Sequence, residues 1–233
     1  MDVTSGAYWA ALGSIILANI VLSGDNAVVI AMAARSLPAH QQKRAIFWGS
    51  AAAIVMRIIL TLVAVEMLKW PYLKIVGALL LLYIGISLLS EDDGGEGGHK
   101  ETGGMAAAIR TILVADLVMS LDNVLAVAAA AKGNTALLII GLAVSIPLII
   151  FGSTLLLKVM ERFPIIITLG AALLGFLAGE MLLTDPAVVA RFGELSSTVI
   201  DIAGAIGAAI VVGAGLWLQR RARDQTPVDK TLA

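Results

Sequence analysis

The residues best suited to chemistry in this chain are two aspartate-asparagine pairs, Asp25-Asn26 and Asp122-Asn123, each set inside a long apolar run. Asn19 and Ser23 precede the first pair, and Asp116 and Ser120 precede the second at the same spacings. On a helix, Asn19, Ser23 and Asn26 fall on one stripe, and Asp116, Ser120 and Asn123 repeat it, so each run carries a single polar seam. Asp25 lies about 100° round a straight helix from Asn26, off the centre of that seam. A break or bulge near Ser23-Gly24 brings it in and frees backbone carbonyls as further ligands. Leu121 stands where the first copy has Gly24, so the second copy gives less reason for a break.

An ionised Asp in the middle of a membrane helix costs about 2.5–3.5 kcal/mol on insertion scales. Two at corresponding places call for a compensating partner, and one divalent cation neutralises both at once. Asn carbonyls and Ser hydroxyls are hard oxygen donors, which suits Mn2+, Ca2+ or Mg2+ and not soft metals. Asp25, Asn26, Asp122 and Asn123 are the leading candidate metal ligands. Asn19 and Asp116, a turn or two earlier, are candidates for a second site or a gate. Glu180, beside Gly179 in a later apolar run, is a candidate for completing the shell or accepting a proton. The competing uses are interhelical hydrogen bonding for the asparagines and plain solvation near a run's end for Glu180. Arg57 also falls inside an apolar run and is expected to pair with one of the carboxylates. Glu66 and Asp201 lie near run ends, where water accounts for them. The eight methionines read as scattered, without the alignment that a copper or silver pathway wants.

The elements that must hold these groups follow from composition. The chain has 233 residues, 59% hydrophobic and 14% charged, where a soluble domain runs near 45–50% and 25%. Its mean hydropathy is +0.95. With no cysteine, disulfide scaffolds, thiolate metal sites and cysteine nucleophiles are excluded, and a net charge of −1 gives no footprint for nucleic acid. A span needs about 20 apolar residues. Seven runs qualify, at about 8–34, 45–68, 72–90, 106–131, 135–157, 164–183 and 198–219. Open sheets cannot cross lipid and these runs are too long for barrel strands, so the expected fold is all-α, a polytopic membrane helical bundle of seven transmembrane helices. The residues 91–104 form a Gly- and acid-rich linker, in which His99 reads as part of a solvated spacer, and 220–233 read as a disordered tail. Lys and Arg fall eleven to one side and four to the other, with Arg57 in neither set, which places the N-terminus outside and the C-terminus in the cytoplasm. The first residues carry Asp2 and no Lys or Arg, unlike a secretory leader, so the first run is expected to be retained.

The seams recur as part of a larger duplication. Val76-Gly77-Ala78 matches Leu169-Gly170-Ala171 at a slightly shorter offset, so the likeness extends over three runs. A three-span unit reverses its direction in the second copy. The expected domains are thus a first three-helix repeat at 1–90, a second and inverted one at 105–183, and a loop with a seventh helix at 184–219. In this plan ligands bind near the midplane where the copies meet.

Ser23-Gly24-Asp25-Asn26-Ala27-Val28-Val29-Ile30 with Ala34-Arg35-Ser36-Leu37-Pro38, and Asp116 through Val124, resemble the TerC family of integral membrane proteins, in particular its YjbE-like subgroup. The wider group includes lysine exporters. The resemblance implies a manganese exporter of the bacterial inner membrane, not an enzyme, with the intramembrane Asp and Asn residues holding the ion. No resident cofactor is expected, since the metal is cargo. Tellurite, which the family's name refers to, finds little here, because anions want Arg, Lys or helix N-termini and Arg57 is the one such group set deep within a run. Export of two charges against an inside-negative potential is uphill by about 2.3 kcal/mol per charge per 100 mV. The chain has no phosphate-binding loop, so protons are the expected coupling ion. Two alternatives stay open: export of a small cationic solute such as an amino acid, and a non-transporting scaffold or metal-delivery partner. Oligomeric state is open too, a homo-oligomer included.

Overall fold

The computed structural model describes residues 6–22, 24–67, 70–90, 104–131 and 135–224; within the helices some side chains, including those of residues 18–22, 62–67, 122 and 124–131, are outside the description. All regular structure among the described residues is helical: α1 Gly6–Leu22, α2 Gly24–Arg35, α3 Ala39–Met67, α4 Leu73–Ser90, α5 Met105–Ala131, α6 Thr135–Arg162, α7 Ile165–Leu183, α8 Pro186–Phe192 and α9 Ser197–Asp224. Among the described residues, five stretches are long and apolar enough to cross a membrane: Ala39–Thr61, Leu73–Ser90, Ile139–Arg162, Ile165–Leu183 and Ser197–Ala222. The other two expected runs are those that carry the Asp-Asn pairs. The first is described as α1 and α2, flanking residue 23, with Tyr8–Leu17 as a shorter apolar stretch. The second is α5, whose first two-thirds contain Arg110, Asp116 and Asp122.

The molecule is apolar on its outer faces as well as inside. Tyr83 and Phe151 are each 70% exposed, and Trp48, Ile206 and Leu169 are exposed as well. A soluble monomer buries such side chains, whereas a helix facing acyl chains displays them. Trp9, Trp70, Tyr72, Phe163 and Phe192 are exposed near helix ends, the level at which amphipathic rings sit at a membrane-water boundary. Pro147 lies inside α6 without ending it, as membrane helices tolerate.

One core joins α1 through α7 and α9, from Tyr8 and Ile15 to Met181 and Val211. α2 is its most enclosed element, with Asn26, Ala27 and every residue from Val29 to Ala34 buried. Two packing arrangements meet there. In the first, α4, α7 and α9 pack on one another. A Cβ on Gly179 would run into the Ala203 carbonyl, and one on Gly175 into the Gly207 carbonyl, so α7 and α9 touch backbone to backbone. Gly204 sits under the Phe176 ring and Gly215 under Leu89, while Gly213 meets nothing within 4 Å. The small residues of the seventh run thus divide into those that permit close approach and one that does not. In the second, α3 lies against α5, and α1 with α2 lies against α6.

Two connections depart from expectation. The segment after α7 contains the short helix α8, started by Asp185 with Pro186 in the first position. α9 runs on to Asp224, beyond the expected span end at 219, and Arg221 lies over the Trp217 ring one turn earlier, 5.4 Å from its centroid. The expected tail from residue 220 is therefore helical over its first residues; from 225 onward, like most of the linker at 91–103, it lies outside the described residues.

Candidate ion site

A cavity of about 80 Å³ lies inside the bundle where α2, α4, α5 and α7 converge. Asp25 enters it from α2, Asn123 from α5 and Glu180 from α7. Met119, one turn before Asn123, and Met181, beside Glu180, add two thioethers. Leu81 and Leu177 close the remaining wall. Asp25 is half-buried, and one carboxylate oxygen accepts the Asn26 backbone N–H at 2.7 Å. Asn26 itself is 3% exposed and is not among the lining residues.

A second polar cluster lies nearby between α3 and α5. The Arg57 guanidinium is 2% exposed and forms an ion pair with Asp116, its Nη2 donating to Oδ1. Arg57 Nε donates to Ser120 Oγ at 3.0 Å, and Ser120 Oγ donates to Asp116 Oδ2 at 3.3 Å. Ser120, four residues after Asp116, shares its helix face, so one turn of α5 supplies both acceptors. Both Arg57 and Asp116 are near enough to Asp25 to act on it electrostatically. The Arg57 guanidinium thus stands between a buried carboxylate on α5 and a half-buried one on α2, and the Asp116 charge that a bilayer would penalise is offset within the protein.

The sequence-derived candidates separate accordingly. The structure brings Asp25, Asn123 and Glu180 to one cavity, and it places Asp116 with Arg57. The side chains of Asn19 on α1 and Asp122 on α5 lie outside the described set, as does Glu66 on α3; Asp201 is exposed. Among the described residues, no three His, Cys, Asp or Glu side chains come together.

One carboxylate with a defined role had no sequence signal. Asp185 is fully buried, and its Oδ1 accepts the backbone N–H groups of Tyr72 at 2.9 Å and Ala187 at 2.8 Å. Its Oδ2 accepts those of Lys74 at 3.0 Å and Ile75 at 3.3 Å. It caps the starts of α4 and α8 together, and it holds Tyr72 at φ 69°, a left-handed conformation unusual for a bulky residue. Burial on its own raises the Asp185 pKa; the four N–H donors outweigh it and hold the carboxyl below the usual carboxylate range.

Residues 4–223 match the model of the integral membrane protein TerC family. The chain belongs to the TerC family. It is 42% identical to the uncharacterized membrane protein YjbE of Bacillus subtilis (strain 168) over 214 residues, covering 91% of this chain and 97% of that one. It is 27% identical to the uncharacterized membrane protein YceF of the same organism, covering 76% and 72%. It is 25% identical to the UPF0053 inner membrane protein YgdQ of Escherichia coli (strain K12), covering 70% and 75%. No solved structure matches. The motifs that carry the sequence resemblance lie on α2 and α5, the helices that present Asp25 and Asn123 to the cavity.

Proposed function

We propose that this TerC protein is a secondary transporter that exports a divalent metal cation, Mn2+ foremost, across the bacterial inner membrane in exchange for protons. The observation that carries this reading is the cavity, where Asp25 from the first half of the chain and Glu180 from the second line one space together with Asn123. A water needs about 10–15 Å³ on this measure, so about 80 Å³ admits a small ion with part of its hydration shell. Pockets for organic solutes run to about 300–1,000 Å³, which weighs against an amino acid as cargo.

Reciprocal packing supports an inverted-repeat plan with the site at its centre. Ile15 and Ile112 stand 97 residues apart, the offset of the Asp-Asn pairs. Ile112 packs over Gly49 on α3, and Ile15 packs over Gly141 on α6. Gly77 on α4 takes Val118 from α5, and Gly170 on α7 takes Val28 from α2. Thr61 and Thr154 each donate to the carbonyl four residues back, both at 2.7 Å. Each half thus receives from the other what it gives, as two oppositely inserted copies around one axis must.

In this reading Asp25, Asn26, Asp122, Asn123 and Glu180 face or support the ion, and Asn19 and Asp116 stand as a second site or gate, Asp116 under the control of Arg57. Asp25 and Asp122 hold protons in one facing state and the metal in the other, so exchange of two protons for one ion is electroneutral. The Lys and Arg distribution supports an external N-terminus and a cytoplasmic C-terminus.

Protein reconstituted in liposomes, with Mn2+ and proton fluxes recorded together, tests the proposal. Expected are coupled fluxes, and at least a tenfold loss in Asp25→Asn and in Asp122→Asn. Mn2+ movement indifferent to a proton gradient would remove the coupling, and parental flux in both variants would remove the site.

A further inference from the structure

We infer that the Met119 and Met181 thioethers determine which divalent ion the cavity accepts, admitting transition metals and rejecting Ca2+ and Mg2+. The inference rests on the transport reading above and deepens it.

Both methionines line the cavity, and both are almost wholly enclosed, Met119 at 6% exposure and Met181 at 5%. Met119 lies four residues before Asn123 on α5, so its side chain shares the helix face that presents the amide. Met181 directly follows Glu180, and its methyl group lies 3.1 Å from where a Cβ would stand on Gly77, so the missing side chain of α4 leaves it room. Methionine often fills irregular gaps in a core, and that use needs no sulfur. The duplication separates the two uses. Leu22 occupies the place corresponding to Met119, and Leu88 the place corresponding to Met181. Leu88 is itself buried, so leucine satisfies that packing position in the other half of the molecule. At both pairs of corresponding positions the thioether belongs to the residue that lines the cavity.

The donor set points the same way. The cavity wall that presents Asp25, Glu180 and Asn123 to an ion also presents the Met119 and Met181 sulfurs. Ca2+ seeks six to eight oxygens, and Mg2+ seeks an octahedron of oxygens and gives up water reluctantly. A thioether is a poor substitute in both shells. First-row transition ions accept mixed oxygen and sulfur donors more readily, and a soft ion such as Cd2+ more readily still. The two sulfurs replace positions where oxygen or water would serve the hard ions.

The test is equilibrium binding of Mn2+, Cd2+, Ca2+ and Mg2+ to the purified full chain, wild type against Met119→Leu and Met181→Leu, with monodispersity as the folding check. Leucine conserves volume, so both variants are expected to remain folded. Expected is a Cd2+ affinity at least tenfold lower in each variant, a smaller loss for Mn2+, and Ca2+ and Mg2+ competing more strongly against Mn2+ than in wild type. Equal weakening of all four ions would mark the methionines as packing residues and overturn the inference, as would unchanged ratios. Wild-type protein that binds none of the four would instead strike the transport reading itself.

Discussion

At the scale of single residues, Asp25 and Asp116 are the same side chain under opposite obligations. Asp116 neutralises Arg57, so Asp116→Asn leaves a buried guanidinium uncompensated, and a stability loss of about 3–5 kcal/mol is expected. Asp25 lines the cavity and relies on the Asn26 N–H, so Asp25→Asn removes an intramembrane charge without stranding a partner. Its thermal unfolding in detergent should match or exceed that of the parent while metal binding falls. Similar unfolding midpoints for the two variants would contradict this division. The candidate residues themselves were legible in the sequence, because a charge inside an apolar run stands out against the cost of placing it there. Which carboxylate Arg57 would take was not legible, since that depends on how α3 and α5 are rotated about their axes. Asp185 was invisible for a different reason: its partners are backbone N–H groups up to 113 positions away, and no residue type records them.

At the scale of elements, the α7–α9 contact and the Asp185 cap make separate predictions. Gly179→Ala places a methyl against the Ala203 carbonyl, where main chain cannot give way, so the helices must part; a loss of about 1–3 kcal/mol or more is expected. Gly213→Ala, with nothing within 4 Å, should be neutral in the same unfolding assay and serves as the control. Asp185 has a folded pKa below its unfolded one, so its contribution is complete above the ordinary carboxylate range and is lost as pH falls through the folded value. Unfolding midpoints should therefore stay level from neutral pH to about pH 5 and drop only below that. Asp185→Asn should weaken the fold at neutral pH and flatten that acid limb. Helix positions were largely readable from hydropathy, as the agreement of the third, sixth and seventh runs with α4, α7 and α9 illustrates. The short α8 was not, because seven residues between two long apolar runs carry too little pattern to stand apart from a loop.

At the scale of the whole molecule, the packing divides into α4, α7 and α9 on one side and α1, α2, α3, α5 and α6 on the other. The cavity straddles the division, with Leu81 and Glu180 from the first group facing Asp25 and Asn123 from the second. Transport by relative movement of these groups predicts a difference between two cross-links, and the absence of native cysteine makes them simple to install. A disulfide between Leu89→Cys on α4 and Gly215→Cys on α9 should leave Mn2+ flux intact, since it joins helices of one group. A disulfide between Gly77→Cys on α4 and Val118→Cys on α5 should stop flux until reduced. Equal effects from the two would rule out this line of movement.

The Asp185 carboxylate narrows the choice of route still further. By gripping the first turn of α4 from a position two residues past the end of α7, it riveted those two helices at one membrane face. No doorway on that face can open by prising α4 from α7 without stripping three amides, those of Tyr72, Lys74 and Ile75, of their acceptor. On the transport reading proposed above, an opening at that face would run along the flank of α2 and α5, the helices that present Asp25 and Asn123 to the cavity.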